Sequence, residues 1–176
     1  NHGNLKRDNN DFEAAIKLYI KAIEINDKIP IALYSLALAY QGVGKFAEAV
    51  TFANKALLID PKFTQADMLI SQSTKYKPGN QHFIDMNSKI NSWDLNDNQK
   101  VNLLFALAKA NEDLDDIEKS FKNFNRGNQI KRNSISFNID DEIKLFNSIK
   151  NGFVGVNMNS VSDNKTGNKN IIFILG

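Results

Sequence analysis

The sequence predicts an all-α protein built from antiparallel helix pairs. Three observations carry that prediction. The chain repeats itself at a shift of 34 residues, with Phe12 falling on Phe46, Ala15 on Ala49, Ala22 on Ala56 and Ile25 on Ile59. Apolar residues recur at helical spacing rather than alternating. Gly42, Gly44, Pro61 and the pair Pro78-Gly79 fall between the periodic stretches, where turn residues belong.

A fixed period of this size signals stacked supersecondary units. Ala15 and Ala22 lie two helical turns apart, as do Ala49 and Ala56, so each pair shares one helix face where a neighbour can approach closely. Phe12 and Phe46 are expected to fill the space beside them. Residues 31–40 supply the preceding helix, with Leu33, Leu36, Ala37 and Tyr40 inward. Gly42 and Gly44 mark the turn into the second helix, and Pro61 marks its stop.

Beyond this pair, residues 63–76 read as a helix with Ala66, Leu69, Ile70 and Ser73 on one face. Pro78-Gly79 breaks it, and a short helix covers 81–91. Asp97 is expected to cap a longer helix, with Val101, Leu104, Leu107 and Ala108 inward. Residues 116–131 form the next, carrying Ile117, Ser120, Phe121, Phe124 and Gly127. Ser120 and Gly127 reproduce the small-residue spacing of Ala49 and Ala56, but 71 residues later. That is no multiple of 34, so irregular helix is expected between. A last helix starts at Asp140, with Ile143, Phe146 and Ile149 on one face.

Tyr40, Gly44, Phe46, Ala49, Ala56 and Pro61 stand where the tetratricopeptide repeat (TPR) motif has its tyrosine, turn glycine, aromatic, two alanines and proline. In the repeat before it, Gly3, Phe12, Ala15, Tyr19 and Ala22 fit, while Asn10 replaces the turn glycine and Asp27 the proline. The chain resembles that family on these residues. The resemblance implies helix pairs stacked as a right-handed superhelix. It also implies a partner-binding groove lined by the first helix of each pair: Asn4, Arg7, Ile31, Tyr34, Leu38, Gln41, Met68 and Gln72. Family members that capture a terminal carboxylate use a clamp of Lys, Asn and Arg. Here Asn4 holds one clamp position, but Ile31, Ser35 and Leu69 stand at others. The surface therefore suits a helix or an extended peptide rather than a carboxylate.

Residues 152–170 are rich in Asn, Ser and Gly and lack periodicity, which marks a linker. The chain closes on the apolar run Ile171-Ile172-Phe173-Ile174-Leu175-Gly176. Such a run is the pattern of a buried parallel strand. Together with Lys75 to Gly79, Phe105 to Leu114 and Asn125 to Asn128, it is similar to bacterial sulfotransferases that carry N-terminal TPRs. The expected organisation is 1–76 repeats with the first truncated, 77–134 an irregular helix plus a TPR-like pair, 135–170 a helix and linker, and 171–176 the first strand of a further domain. That resemblance implies the donor nucleotide PAPS for the parent enzyme, with its phosphosulfate loop after Gly176. This chain itself is expected to be no enzyme and to hold no cofactor or metal.

Composition sets the remaining limits. A net charge of +2 over 176 residues gives no basis for nucleic-acid or membrane attraction. There is no Cys, which suits a reducing, cytoplasmic setting. No apolar run approaches the roughly 18 to 20 residues of a membrane span. The expected partner is a protein or peptide in the groove, or the chain's own downstream domain.

Several motifs have plainer explanations. Gly42-Val43-Gly44-Lys45-Phe46-Ala47 matches a dinucleotide fingerprint, but a helix rather than a strand precedes it. The run from Glu112 to Glu118 lacks the Gly and Glu positions of a calcium loop and suits a turn with acidic helix-start residues. His2 and His82 have no sequence-adjacent ligand partners. Asn164-Lys165-Thr166 fits a glycosylation triplet, as expected by chance in an Asn-rich chain. Trp93 is expected to pack at an edge. Lys119, Lys122, Arg126, Lys131 and Arg132 read as a solvated face.

Overall fold

A computed structural model describes residues 2–135 and 138–154. The predicted closing strand, most of the linker and the glycosylation triplet lie outside them. Among the described residues there are nine helices and no strand. They are α1 His2–Asp8, α2 Phe12–Ile25, α3 Pro30–Gly42, α4 Phe46–Ile59, α5 Thr64–Ser73, α6 Gln81–Ser92, α7 Asp97–Asp113, α8 Ile117–Asn133 and α9 Ile139–Gly152. The chain divides into two compact units, one ending at Ile135 and the other starting at Ser136.

The turns inside three helix pairs are built alike. Asn10, Gly44 and Asp115 occupy equivalent positions and all have positive φ, 59°, 75° and 60°. In each turn the following amide reaches back five residues: Asp11 N–H to Lys6 O at 2.8 Å, Lys45 to Tyr40 at 2.9 Å and Asp116 to Asn111 at 2.9 Å. Asn and Asp tolerate the left-handed region better than other non-glycine residues, so the turn survives the loss of its glycine.

Small residues sit at the helix crossings. Ala15, Ala49 and Ala56 are fully buried. A Cβ on Gly127 would lie 2.7 Å from the Phe105 ring. Ala22, expected beside Ala15, is instead exposed. In α1, Gly3 packs against the Tyr19 ring. Phe12 packs on Gly42, but Phe46 is half-exposed. The position 34 residues after Gly42 is 76, and α5 already ends at Ser73.

That early end reshapes the third pair. The helix expected to reach Tyr76 stops, and seven residues, 74–80, connect α5 to α6, against three between α3 and α4. α3, α5 and α7 begin at 30, 64 and 97, so their spacing stays near 34. α7 packs along α5, and α6 packs on α7. Tyr76 enters a core of its own with Met86, Leu95, Leu103, Ala106, Leu107 and Ala110. The cap of α7 is Asn96 rather than Asp97. Its side chain accepts from Gln99 N–H while the Gln99 side-chain oxygen accepts from Asn96 N–H, both at 2.9 Å. The reciprocal Asn/Gln box displaces Asp97 to the first helical position, where its charge suits the helix dipole. In the second unit, Asn138 caps α9 ahead of Asp140, and Ile143, Phe146 and Ile149 are exposed.

Candidate functional site: the groove on the first helices

The eight groove residues come from α1, α3 and α5. Asn4 accepts a hydrogen bond of 2.6 Å from the Tyr19 hydroxyl, so its amide oxygen is engaged within the repeat. Arg7 pairs with Asp8 at 3.0 Å. Burial raises the Tyr34 hydroxyl pKa, and the positive charge of Arg7 opposes that rise. The Tyr34 ring stands edge-on to Phe63 at 5.2 Å. Ile31 is exposed and Leu38 half-buried. Gln41 donates from Nε2 to Ser73 Oγ at 3.0 Å, tying α3 to the end of α5. Two residues at clamp-type positions are withdrawn: Ser35 is buried and donates to Ile31 O at 2.7 Å, and Leu69 is buried in the core.

Met68 and Gln72 line a cavity of about 440 Å³, together with Ser71, Phe105, Lys109, Phe124 and Asn128. Sequence reasoning missed the last four. Phe105 and Phe124 meet at 5.9 Å and form an apolar wall. Lys109 is the cation of the cavity. It is bonded to Thr74 O at 3.1 Å and to the Asp113 carboxylate. Burial pushes the Asp113 carboxyl up, but hydrogen bonds from Lys109, Lys75 and the Tyr76 N–H outweigh it and bring its pKa to about 2. Two of them, Phe105 and Lys109, could have been found by carrying the α5 pattern to α7 at a shift of 37. Met68 then falls on Phe105 and Gln72 on Lys109.

A second cavity of about 770 Å³ lies between α4 and α6, with Asp67, Ile70, Leu57, Leu58, Asp85, His82, Lys89 and Trp93 among its lining. Next to it sits a buried polar network. Lys89 Nζ donates to both Asp67 oxygens at 2.9 and 2.7 Å. His82 lies between Tyr76 and Asp67, with Nδ1 2.7 Å from the Tyr76 hydroxyl and Nε2 3.1 Å from Asp67. One tautomer satisfies every group: the hydroxyl donates to Nδ1 and Nε2–H donates to the carboxylate. No buried side-chain polar atom among the described residues lacks a partner. His82 is thus a structural strut that orients α6. Trp93 stays partly exposed at the end of α6 with the Lys89 ammonium 5.8 Å above its ring. Among the described residues no acidic or histidine group is arranged to hold a metal ion. None of their helices is long and apolar enough to cross a membrane.

Comparison with known proteins falls on the repeats. The family described as TPR repeat matches residues 3–44, and the family described as Tetratricopeptide repeat matches residues 30–63. The small glutamine-rich tetratricopeptide repeat-containing protein 2 of Mycosarcoma maydis is 39% identical over 64 residues, which are 36% of this chain. The chain spans only 18% of the length of that relative. Among solved structures, the crystal structure of MamA aligns over 78% of this chain and 98% of its own, at 14% identity and a TM-score of 0.47. The Sgt2 TPR domain from Aspergillus fumigatus aligns over 71% and 78%, at 22% identity and a TM-score of 0.43. Residues 3–63 thus match tetratricopeptide repeat families, and the described residues form a fold of the all-α class. These similarities lend no support to the sulfotransferase resemblance of residues 63–176.

Proposed function

We propose that this chain is a protein-interaction scaffold, working in the cytoplasm, whose first-helix groove takes an amphipathic helix or an extended peptide. The observation that carries this is the cavity beside Met68 and Gln72, whose lining combines the Phe105–Phe124 pair with polar Lys109 and Asn128. An apolar wall with a few convergent polar groups is the usual make-up of a ligand-binding concavity. The groove cations are already paired, Arg7 with Asp8 and Lys109 with Asp113. An anchoring apolar side chain, rather than a free carboxylate, is therefore the expected recognition element. The test is selection from a displayed random-peptide library, with the Leu38→Glu/Gln72→Glu variant as counter-target. Peptides with an aliphatic or aromatic anchor should enrich on the wild-type chain and bind the variant at least tenfold more weakly. No enrichment, or equal binding to both, would contradict the proposal.

A linked enzyme is a separate reading, favoured by the closing apolar run Ile171 to Gly176. In it the scaffold serves a downstream PAPS-dependent sulfotransferase domain. A stand-alone adaptor needs only the repeats, and the comparisons support it at least as well. The two part at the reading frame: codons after Gly176 for a glycine-rich loop followed by a helix are what the linked reading requires. In either case the chain as given should show no sulfuryl transfer from the donor nucleotide.

A further inference from the structure

The cavity of about 770 Å³ between α4 and α6 is separate from the groove. Its lining runs from Val50 to Trp93, wholly inside the first unit, and shares no residue with the cavity beside Met68. The space exists because α4 and α6 do not exchange side chains. α2 and α4 do: Ile23 of α2 packs against the core of α4 and α5, and Phe52 of α4 against the core of α2 and α3. The core that holds α6 takes Met86 and Phe83 together with residues of α7, and among the described residues it takes none from α4. The connection 74–80 lets α6 turn its apolar side toward α7. What it leaves between α4 and α6 is a cleft, with the buried Asp67 network in its lining.

The two helices contribute different chemistry to this cleft. From α4 come Val50, Asn54, Leu57 and Leu58, mostly apolar, and from α6 come His82, Asp85, Ser88 and Lys89. Val50 to Leu57 and His82 to Lys89 each cover seven residues, or about 10 Å of helix. Leu58 is 83% exposed and Trp93 39%. Large apolar side chains left in water beside a cavity mark an interaction surface. The carboxylates and lysines of the lining are Asp67, Asp85 and Lys89. Asp67 and Lys89 compensate each other, 2.7 Å apart and buried. Asp85 accepts a hydrogen bond from Gln81 Nε2 at 2.8 Å and has no ion pair among the described residues. Lysines of the flanking segments are engaged elsewhere: Lys55 lies over the Phe52 ring, Lys62 is bonded to Asp94 O and Lys75 pairs with Asp113. Glu48, Asp60, Lys77 and Asp94 lie outside the lining. The cleft therefore offers apolar surface, a neutralised ion pair and one uncompensated carboxylate.

We propose that this cleft is a second partner site, which takes an amphipathic helix of another protein. Its apolar row lies on Leu57, Leu58 and Ile70, and a Lys or Arg of that helix meets Asp85. An elongated cleft of this kind suits the helix-in-groove mode, with anchors at helical spacing. Together with the groove on the first helices, it makes the chain a bridge between two partners.

The test is selection from a displayed random-peptide library on the Leu38→Glu/Gln72→Glu variant, so that its outcome does not depend on the groove. Enriched peptides should carry apolar residues at helical spacing and at least one Lys or Arg. Asp85→Lys and Leu58→Glu, both at exposed positions, should keep the helical circular dichroism. Each, added to the target, should weaken binding about tenfold. A peptide with its cation replaced by Glu should bind the Asp85→Lys target better than the parent target. No enrichment, enrichment of acidic peptides, or peptides indifferent to both substitutions would overturn the proposal. Failure of the charge swap would overturn the pairing with Asp85.

Discussion

Asn10, Gly44 and Asp115 hold the same left-handed backbone in three helix-pair turns, and only one of them is glycine. At Gly44 no heavy atom crowds a potential Cβ, so the cost of adding one is conformational. Gly44→Ala should therefore destabilise by about 1 kcal/mol, and Asp115→Gly should leave the melting temperature unchanged or raise it. Paired thermal melts check both. Asp113 makes a pH-dependent contribution. Its folded pKa of about 2 lies below its unfolded value, so its stabilisation is present above the unfolded pKa and lost as pH falls through the folded one. Its side chain is buried, which supports a contribution of ~2 kcal/mol at neutral pH. Urea unfolding of wild type and Asp113→Asn should differ by about that much at neutral pH. The gap should close as pH falls from about 4 to about 2. Asp113 was legible only as part of an acidic run. Its partners Lys75 and the Tyr76 amide are 38 and 37 residues away in the chain, and no local pattern links them.

At the scale of elements, α2 to α4 could be read closely because two copies of one pattern check each other. Agreement between Phe12 and Phe46, or Ala15 and Ala49, fixes both phase and boundary. Between Ser73 and Gln81 that check fails. Tyr76 sits at helical spacing from Ser73 and reads as a continuation of α5, yet it leaves the helix to fill a core with Met86 and Leu103. Asp67 shows a similar limit. It is buried beside Ala66 on α5, though it was not among the residues read as inward, and the residues that compensate it, His82 and Lys89, come from α6. Lys89→Met should strand the Asp67 charge and cost ~3 to 5 kcal/mol. Lys89→Met with Asp67→Leu should cost less than the sum of the single changes, because the two groups form one unit. A double-mutant cycle in urea measures the coupling. Additive losses would mean that the network does not act as a strut for α6.

At the scale of the whole molecule, the all-α class and the repeat architecture follow from periodicity alone. The candidate groove was legible only in part. Residues of α1, α3 and α5 could be proposed from the motif, but Phe105, Lys109, Phe124 and Asn128 lie on α7 and α8, where the residue pattern aligns with α5 at 37 residues although the helices start only 33 apart. An assignment that keeps strictly to 34 rotates those helices to the wrong face. The groove is also less charged than its cations suggest, since Arg7 and Lys109 are already paired with carboxylates.

The most direct test of the scaffold proposal is a backbone amide chemical-shift map of the chain titrated with a peptide selected on it. Shifts that saturate together and cluster on Ile31, Tyr34, Leu38, Gln41, Met68, Gln72, Phe105 and Lys109 are the predicted result. Saturable shifts confined to other surfaces, with these amides unmoved, would contradict it.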